Sequence, residues 1–378
     1  MAKKKRALLI ANTGWFLAAF ETGNIRILLD LGYEVHCASD FSPNIDNERK
    51  KLTDLGAIVH QIDITRKPLS IGNIRAYKAI KQLLNRDHYD ILHCHTPVGG
   101  VLTRLAVGKR DSRRCRVIYT AHGFHFYKGA PLKNWLLFFP IEWVLSWWTD
   151  TLVTINKEDY LRARRCLHAR QIRYIPGIGI DIEDYASKEC DVKEKRRELG
   201  VGDEELMLLS VGSLIDRKNH IQVIRAMSKI KNDRMKYFIA GTGELEDVLL
   251  KEAVECKIKD RVVCLGYRTD IPELCQAADV FLMPSMQEGL SVALMEAVAC
   301  RVPVIASRIR GNVELVKNRD SLFDPHNTEE LAEKLSSLSH CNNTREHFAK
   351  QIQQSYSLLK KCDRKNVMRI MKRIYLDR

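Results

Sequence analysis

The chain has 378 residues, enough for two domains, and with 45% hydrophobic and 29% charged residues it has the composition of a globular, soluble protein. Its formal net charge of +14 is uneven: residues 1–180 hold 28 lysines and arginines against 15 aspartates and glutamates, whereas residues 181–378 hold 33 against 32. A membrane-spanning class is excluded, because the longest apolar stretch, residues 135–148, is interrupted by Pro140 and Glu142 and falls short of about 20 apolar residues.

The first residues, MAKKKRALLI, place basic side chains before an apolar run, as a secretory signal peptide does. This run is short and is ended by Asn12 and Thr13 without a small-residue cleavage site, so we predict a first buried strand. The eleven cysteines are scattered singly with no CxxC pair, which is typical of reduced thiols. We therefore expect a cytoplasmic protein.

Short apolar runs alternate with amphipathic stretches along the chain. Strands are predicted at 6–12, 33–39, 57–63, 89–95, 115–122 and 150–156, and then at 206–212, 235–241, 261–266, 279–284 and 302–307. Stretches with apolar residues at helical spacing lie between them, for example 21–32 and 71–85. This alternation predicts an α/β fold with two Rossmann-like, doubly wound parallel-sheet domains facing a cleft.

The boundary between these domains is predicted near the Pro- and Gly-bearing segment 174–185. We therefore divide the chain into domains 1–180 and 181–378. The C-terminal part, from about residue 328, is helical in pattern and could pack back on the first domain.

The stretch EGLSVALME, residues 288–296, follows an apolar run that ends at Pro284. A helix beginning near Gly289 would put Glu288 at its mouth and point free N–H groups of Gly289, Leu290 and Ser291 at an anion. If the whole stretch were helical, Glu288 and Glu296 would lie about 12 Å apart, a gap that a sugar nucleotide could bridge. The alternative is a helix N-terminus stabilised by Glu288, with Glu296 merely solvated.

Two further segments follow predicted strands. VGSLIDRKNH, residues 211–220, places Arg217 and Lys218 beyond a strand, where cations suit a diphosphate leaving group or form a solvated surface pair. AGTGELE, residues 240–246, has a lone GxG and does not complete the dinucleotide fingerprint.

These segments, together with LGYRTDIPEL and RGNVELV, resemble in order and spacing the C-terminal domain of retaining GT-B glycosyltransferases of family 4. Glu288 and Glu296 match the E-x7-E motif of that family. The first half is similar to its capsular and exopolysaccharide branch through YDILHCHTP, YTAHGFHFYKGAPLKNW and TINKEDY. The resemblance covers essentially the whole chain.

The resemblance implies roles for particular residues. Glu288 contacts the donor sugar and stabilises the reacting centre, Glu296 holds the ribose hydroxyls, and Lys218 with Arg217 balances the departing diphosphate. His122 faces the donor sugar, and backbone groups near Arg268 frame the base. The catalytic candidates are thus Glu288, His122 and Lys218; the donor-binding candidates are Arg217, Gly289, Leu290, Ser291, Glu296, Gly14 and Arg268.

The sequence departs from the family at two places. Ser213 stands where many members have Arg, which leaves that phosphate contact missing or moved to Arg217. The loop ANTGWF, residues 11–16, lacks a double glycine, and Gly14 is its substitute. No well-placed D-x-D motif is present, so we expect no metal or other cofactor, and cations of the protein are expected to stabilise the leaving group.

Two other patterns have competing interpretations. His93 and His95 in LHCHTP would share one face of a strand, but with no further ligands expected nearby we do not predict a metal site. The aromatic segment 124–148 is typical of a helix packed in the core, and an interfacial segment is the second interpretation.

The sequence therefore predicts a retaining, front-face hexosyl- or N-acetylhexosaminyltransferase that uses a nucleoside-diphosphate sugar, UDP-linked by expectation. The expected acceptor is a polyprenyl-diphosphate-linked saccharide in surface polysaccharide assembly, reached from an anionic membrane surface at the inner face of the membrane. A nucleotide-sugar epimerase of the same fold is the alternative. A nucleic-acid-binding protein is a distant one, since no nucleic-acid motif is present.

Overall fold

The computed structural model describes residues 4–42, 45–68, 70–111, 115–188, 190–231, 234–338 and 343–377. The chain divides into two compact units, one comprising Met1–Ile178 and Asn366–Arg378 and the other comprising Gly179–Lys365. Residues 366–378, which the division of the sequence assigned to the second domain, thus belong to the first unit.

Both units contain a sheet in which all paired strands are parallel. In the first unit the strand order is β3-β2-β1-β4-β5-β6-β7, and in the second it is β10-β9-β8-β11-β12-β13. The strands are β1 (Arg6–Thr13), β2 (Glu34–Asp40), β3 (Ile58–Gln61), β4 (Ile91–His95), β5 (Arg116–Ala121), β6 (Thr151–Thr154), β7 (Gln171–Tyr174), β8 (Leu206–Val211), β9 (Met235–Ala240), β10 (Val262–Gly266), β11 (Val280–Met283), β12 (Val304–Ser307) and β13 (Leu322–Phe323).

The α-helices follow the strands in alternation. They are α1 (Gly14–Phe20), α2 (Thr22–Asp30), α3 (Ile45–Asp54), α4 (Ile71–Arg86), α5 (Pro97–Asp111), α6 (Leu132–Ser146), α7 (Lys157–Cys166), α8 (Ile182–Ala186), α9 (Val192–Glu198), α10 (His220–Ser228), α11 (Glu246–Glu255), α12 (Ile271–Ala277), α13 (Val292–Ala299), α14 (Asn312–Leu315), α15 (Thr328–Leu338), α16 (Thr344–His347), α17 (Ala349–Leu359) and α18 (Arg364–Leu376). The predicted α/β fold with two doubly wound parallel sheets is confirmed.

All eleven predicted strands are present, and two more were missed. β7 has the sequence QIRY, of which no residue is fully buried, and β13 is only two residues long. β7 lacks the apolar run that marks a central strand because it is incompletely covered, whereas β13 is buried but too short to show a run.

In each sheet the strand order reverses at one place, between β1 and β4 in the first unit and between β8 and β11 in the second. The helices that follow the strands on either side of such a point diverge to opposite faces, which opens a crevice at the carboxyl ends of the strands. At the first reversal, buried Asn12 joins the two strand ends, since its Oδ1 accepts from the Thr96 hydroxyl at 2.7 Å and from the Gly99 amide at 2.8 Å.

Helix α6 differs from the expectation of a core helix. Leu132, Leu136 and the adjoining Trp147 are 73%, 70% and 61% exposed, and Leu137, Ile141 and Val144 are exposed as well. The opposite side packs on the core through the partly buried Trp135, Phe138 and Phe139. The helix is therefore apolar on both sides, and helical periodicity of hydrophobicity does not distinguish them.

Among the helices that the structure describes, none combines the length and apolar character needed to cross a membrane. None of the described cysteines forms a disulfide bond in this structure.

A buried ion pair links α5 to α6 in the first unit. Arg104, 1% exposed, donates to both carboxylate oxygens of Glu142, at 2.9 and 3.0 Å, and its guanidinium stacks on the Tyr119 ring. Burial opposes the charge of Arg104, but Glu142 keeps the pKa of Arg104 above its ordinary value. Glu142, which interrupts the apolar segment in the sequence, is thus a structural residue.

We expect Glu142→Gln to destabilise the first unit by about 3–5 kcal/mol, because it leaves a buried guanidinium without a counter-charge. Urea unfolding followed by fluorescence measures this loss. The matched control is Asp377→Asn, which removes a pair with Arg173 at 3.0 Å in which both side chains are 45% exposed, and it should cost no more than about 1 kcal/mol. Equal losses in the two variants would contradict a stabilising role for the buried pair.

Candidate active site

Glu288 lies in the loop after β11, next to two cations from the segment after β8. Lys218 Nζ is 2.8 Å and Arg217 Nη1 is 3.1 Å from Glu288 Oε1. The Met286 amide donates to the Arg217 carbonyl at 2.8 Å, and Arg217 Nη1 donates to the Gln287 carbonyl at 2.6 Å. The reversal between β8 and β11 therefore brings together three residues that the sequence singled out in separate segments.

The electrostatics of this cluster depend on the cations. Glu288 is only 8% exposed, and burial alone would favour its neutral form. The charges of Lys218 and Arg217 outweigh that effect and hold the pKa of Glu288 below its ordinary value. Lys218 is largely buried as well, whereas the Arg217 side chain is 42% exposed. The cluster presents an ionised carboxylate with two cations, one of which faces solvent.

Glycines allow the segment after β8 to approach its neighbours. A Cβ on Gly241 would lie 2.0 Å from the Gly212 carbonyl oxygen, and one on Gly243 would lie 2.4 Å from that of Leu214. A Cβ on Gly212 would in turn lie 3.0 Å from Lys218 Cε. Close packing of the backbone thus accounts for the GxG of AGTG, and the lack of a side chain at Gly212 leaves room for Lys218.

The helix of the EGLSVALME stretch begins later than predicted. α13 starts at Val292 with Ser291 as its N-cap, so Glu288, Gly289 and Leu290 precede the helix, and the 12 Å estimate for a wholly helical stretch does not apply. The free amides of its first turn are those of residues 291–294, so of the three predicted amides only that of Ser291 belongs to the helix start. The loop before α13 packs closely against the backbone of Gly311. A Cβ on Gly311, at φ +82°, would lie 2.3 Å from the Gly289 carbonyl oxygen.

Glu296 lies inside α13, and Tyr185 donates its hydroxyl to Glu296 Oε1 at 2.7 Å. Burial raises the pKa of Glu296, and the Tyr185 hydrogen bond opposes this rise. Glu296 is therefore not a solvated surface residue. Sequence reasoning missed Tyr185, which lies in the segment interpreted only as a domain boundary.

Arg268, expected near the base, has its side chain engaged by two carboxylates. Its Nε donates to Asp270 Oδ1 at 2.7 Å, and its Nη2 lies 3.0 Å from Glu198 Oε1. These hydrogen bonds raise the pKa of Arg268 above its ordinary value. Only backbone groups of this segment are left for the predicted role.

In the first unit, Gly14 begins α1 directly after β1. A Cβ there would lie 2.1 Å from Phe41 Cδ1, so packing against Phe41 by itself requires glycine. The structure therefore gives Gly14 a packing reason, and its predicted contact with the diphosphate stays a prediction.

His122 follows β5 and is in contact with two other side chains of the first unit. His122 Nε2 lies 3.3 Å from His95 Nδ1, and His95 Nδ1 lies 3.3 Å from Glu21 Oε1. The expectation that His95 has no further metal-type ligands nearby is wrong. Glu21, His95 and His122 each offer a ligand atom within 4.8 Å of the others.

Sequence reasoning missed this cluster because its members come from three separate segments. Glu21 lies between α1 and α2, His95 ends β4 and His122 follows β5, and only the pairing of β4 with β5 brings the histidines together. His93 does share a face with His95, at a ring distance of 4.1 Å, but its nitrogens are bound to Thr120 and Tyr375 at 2.8 and 2.7 Å.

Two family models match the chain. The model described as Glycosyl transferases group 1 covers residues 191–355, and the model described as Glycosyl transferase 4-like covers residues 6–156. The two models together cover most of both units and include Glu288, Glu296 and His122.

Similar proteins include EpsD of Bacillus subtilis (strain 168), named as a glycosyltransferase, with 34% identity over 84% of this chain and 83% of EpsD. The Escherichia coli UDP-Gal:alpha-D-GlcNAc-diphosphoundecaprenol alpha-1,3-galactosyltransferase is 32% identical over 66% of this chain and 65% of that protein. Among solved structures, Anabaena Alr3699/HepE in complex with UDP and glucose has a TM-score of 0.78 at 18% identity, covering 98% of this chain and 99% of the other. The chain is a glycosyltransferase and belongs to family 4 of the GT-B glycosyltransferases.

Proposed function

We propose that the chain transfers a sugar, with retention, from a UDP-sugar to a polyprenyl-diphosphate-linked saccharide in the assembly of a surface polysaccharide. The observation that carries the proposal is the cluster of Lys218, Arg217 and Glu288 at the reversal of the second sheet. Glycosyl transfer creates a cationic sugar centre and an anionic leaving group together, and this cluster provides a counter-charge for each.

The comparisons support the choice of substrates. Anabaena HepE has been solved with UDP and with UDP-glucose, and the E. coli relative is named for a UDP-Gal donor and a diphosphoundecaprenol-linked acceptor. EpsD and the O-antigen biosynthesis glycosyltransferase WclY are also similar to this chain. An exopolysaccharide or O-antigen role therefore fits better than the epimerase alternative.

In the proposed reaction, Lys218 and Arg217 neutralise the diphosphate as the bond to the sugar breaks, in place of a divalent metal. Glu288 stabilises the positive charge that develops at the sugar. In a front-face reaction the departing phosphate takes the acceptor proton, so no protein nucleophile is required. His122 donates a hydrogen bond to the donor sugar, and Glu296 accepts from the ribose hydroxyls.

Glu288→Gln keeps the shape of the side chain but removes the charge. We expect turnover to fall by about a hundredfold or more, with UDP binding largely kept. Steady-state kinetics with UDP-sugar and a lipid-linked acceptor measure the change, and calorimetry measures UDP binding. The matched control is Glu252→Gln on α11, which removes the ion pair between Glu252 Oε1 and Arg225 Nε at 2.7 Å. It should leave turnover unchanged. Near-normal turnover in Glu288→Gln would refute the role of Glu288.

Glu296→Ala removes a charged acceptor for the ribose, and UDP affinity should fall by about 1.5–3 kcal/mol. Tyr185→Phe is the control, since it keeps the carboxylate and removes only the hydroxyl that donates to Glu296. It should cost at most about 1 kcal/mol of UDP affinity. Calorimetry on free UDP distinguishes the two variants. If Glu296→Ala binds UDP as the wild type does, the carboxylate serves only to pair with Tyr185.

The first unit has two features that suit an anionic membrane surface. Its part of the sequence, residues 1–180, has a net charge of +13. The outer face of α6 exposes Leu132, Leu136, Val144 and Trp147, with the exposed Lys133 beside them. Basic residues near an anionic bilayer contribute about 1 kcal/mol each, and an aromatic and aliphatic face adds insertion into the interface. We propose that this face docks reversibly on the membrane that holds the acceptor.

The full chain should co-sediment with liposomes that contain anionic lipid and should be released as salt is raised. Leu136→Ser combined with Trp147→Ser should weaken this binding by about tenfold or more, because each buried side chain contributes about 1.5–3 kcal/mol. The control, Val248→Ser with Val254→Ser, changes two residues of α11 that are 47% and 53% exposed and should bind like the wild type. Equal binding to neutral and anionic liposomes, or to neither, would refute the docking proposal.

A further inference from the structure

His122 lies beside two residues, His95 and Glu21, that have no role in the proposed reaction. Its Nε2 lies 3.3 Å from His95 Nδ1, and its ring packs edge-on against Phe16 at 4.8 Å between ring centroids. His122 has no other hydrogen-bond partner within the described part of the chain. Its Nδ1 is therefore the nitrogen left for a ligand.

The charge states in this cluster follow from burial. Burial lowers the pKa of His93 to about 3 and that of His122 to about 4, and it lowers the pKa of His95 well below its ordinary value. All three imidazoles are thus neutral near pH 7, and each has a single N–H. Which nitrogen of His122 has the proton depends on its neighbour His95.

His95 Nδ1 faces two groups at the same distance, Glu21 Oε1 and His122 Nε2, each 3.3 Å away. An ionised Glu21 only accepts, so it requires the His95 proton to be on Nδ1. An N–H on His122 Nε2 would then point at the N–H of His95, so His122 must keep its proton on Nδ1. His95 Nε2, which is buried without a partner among the described residues, is then left as a bare acceptor and not as an unpaired donor.

We propose that Glu21 and His95 are positioning residues that fix the proton of His122 on Nδ1, so that the ring presents an N–H donor to the donor sugar. This inference rests on the proposed role of His122. The contact between the Glu21 carboxylate and the His95 imidazole selects the tautomer. In catalytic and metal-bound histidines, too, the hydrogen bond of one ring nitrogen determines which nitrogen is protonated.

A metal ion on the same three side chains would compete with the proton at His95 Nδ1. A metal bound at His95 Nδ1 would move the proton to Nε2, where the described residues offer no acceptor. A proton on Nδ1 avoids this buried unpaired donor.

The arrangement makes the cluster sensitive to pH through Glu21. Glu21 has no lysine or arginine partner among the described residues; burial raises its pKa to about 7, against the effect of an Asn24 hydrogen bond of 2.6 Å. The other titratable groups that face it, Cys37 and Tyr375, stay neutral because burial raises their pKa values. Protonated Glu21 would donate to His95 Nδ1 and move the His95 proton to Nε2, at the cost of a buried unpaired donor. His95 would then no longer donate to His122 Nε2, so the fixed N–H on His122 Nδ1 should be lost as pH falls through about 7.

Glu21→Gln tests the inference, because Asn24 donates to Glu21 Oε2 and so directs the new amide nitrogen at His95. The variant should mimic protonated Glu21 at every pH. Proton–nitrogen correlation spectra of the full chain, labelled at histidine and assigned with His122→Gln, should show His122 protonated on Nδ1 at pH 8 in the wild type and on Nε2 in Glu21→Gln. Glu21→Asp, which retains a carboxylate, should restore the Nδ1 form.

Kinetics give a second readout. Wild-type kcat/KM should fall about tenfold, the value of one hydrogen bond, between pH 8 and pH 6, and Glu21→Gln should stay at the lower level throughout. An unchanged His122 tautomer in Glu21→Gln would overturn the inference. So would Zn²⁺ binding at micromolar concentration to the wild type, lost in His95→Gln. The spectra measure the His122 tautomer without substrate. Failure of the proposed transferase reaction would therefore leave the tautomer result unchanged, and the two failures can be told apart.

Discussion

The site of the second unit depends on one requirement: a carboxylate buried at a strand end must have a counter-charge. Glu288 satisfies it with Lys218 and Arg217, and this attraction ties the loop after β11 to the turn after β8. The two segments are about 70 residues apart in sequence, and only the reversal of strand order makes them neighbours. In the proposed reaction the same cations that keep Glu288 ionised would also face the diphosphate, so binding a donor would redistribute charge that is already in place.

The first unit also contains a buried glutamate, but this one has no cation beside it among the described residues. Glu21 is also buried, yet its neighbours are Asn24 and neutral His95, and its pKa rises where that of Glu288 falls. Two glutamates of similar burial thus differ because one has cations beside it and the other has neutral polar groups. A carboxyl group whose pKa is held below its ordinary value suits stabilisation of a charged reaction centre. A group that titrates near neutrality suits control of a proton position.

Much of this architecture could be predicted, because central parallel strands are continuous apolar runs and loops after them hold the chemistry. Lys218, Arg217 and Glu288 were predictable as candidates for that reason. The start of α13 at Val292 was not, since the loop before it packs closely against Gly311, about 20 residues further along the chain. The cluster at His95 was also beyond the sequence, and for α6 the sequence offered a core helix and an interfacial segment without deciding between them. Contacts between distant segments determine the cluster, and in α6 the apolar side chains lie on both faces, so the spacing of hydrophobic residues does not identify the exposed one.

If the exposed apolar face of α6 docks on a membrane as proposed, it changes how the enzyme meets a lipid-linked acceptor. A lipid-linked saccharide diffuses within a plane, and an enzyme that rests on the same plane searches two dimensions instead of three. Attachment by a few side chains and diffuse charge is reversible, so the enzyme could slide between acceptors and leave to exchange nucleotide. The rate of polymer growth would then respond to the lipid composition of the bilayer as well as to the supply of sugar nucleotide.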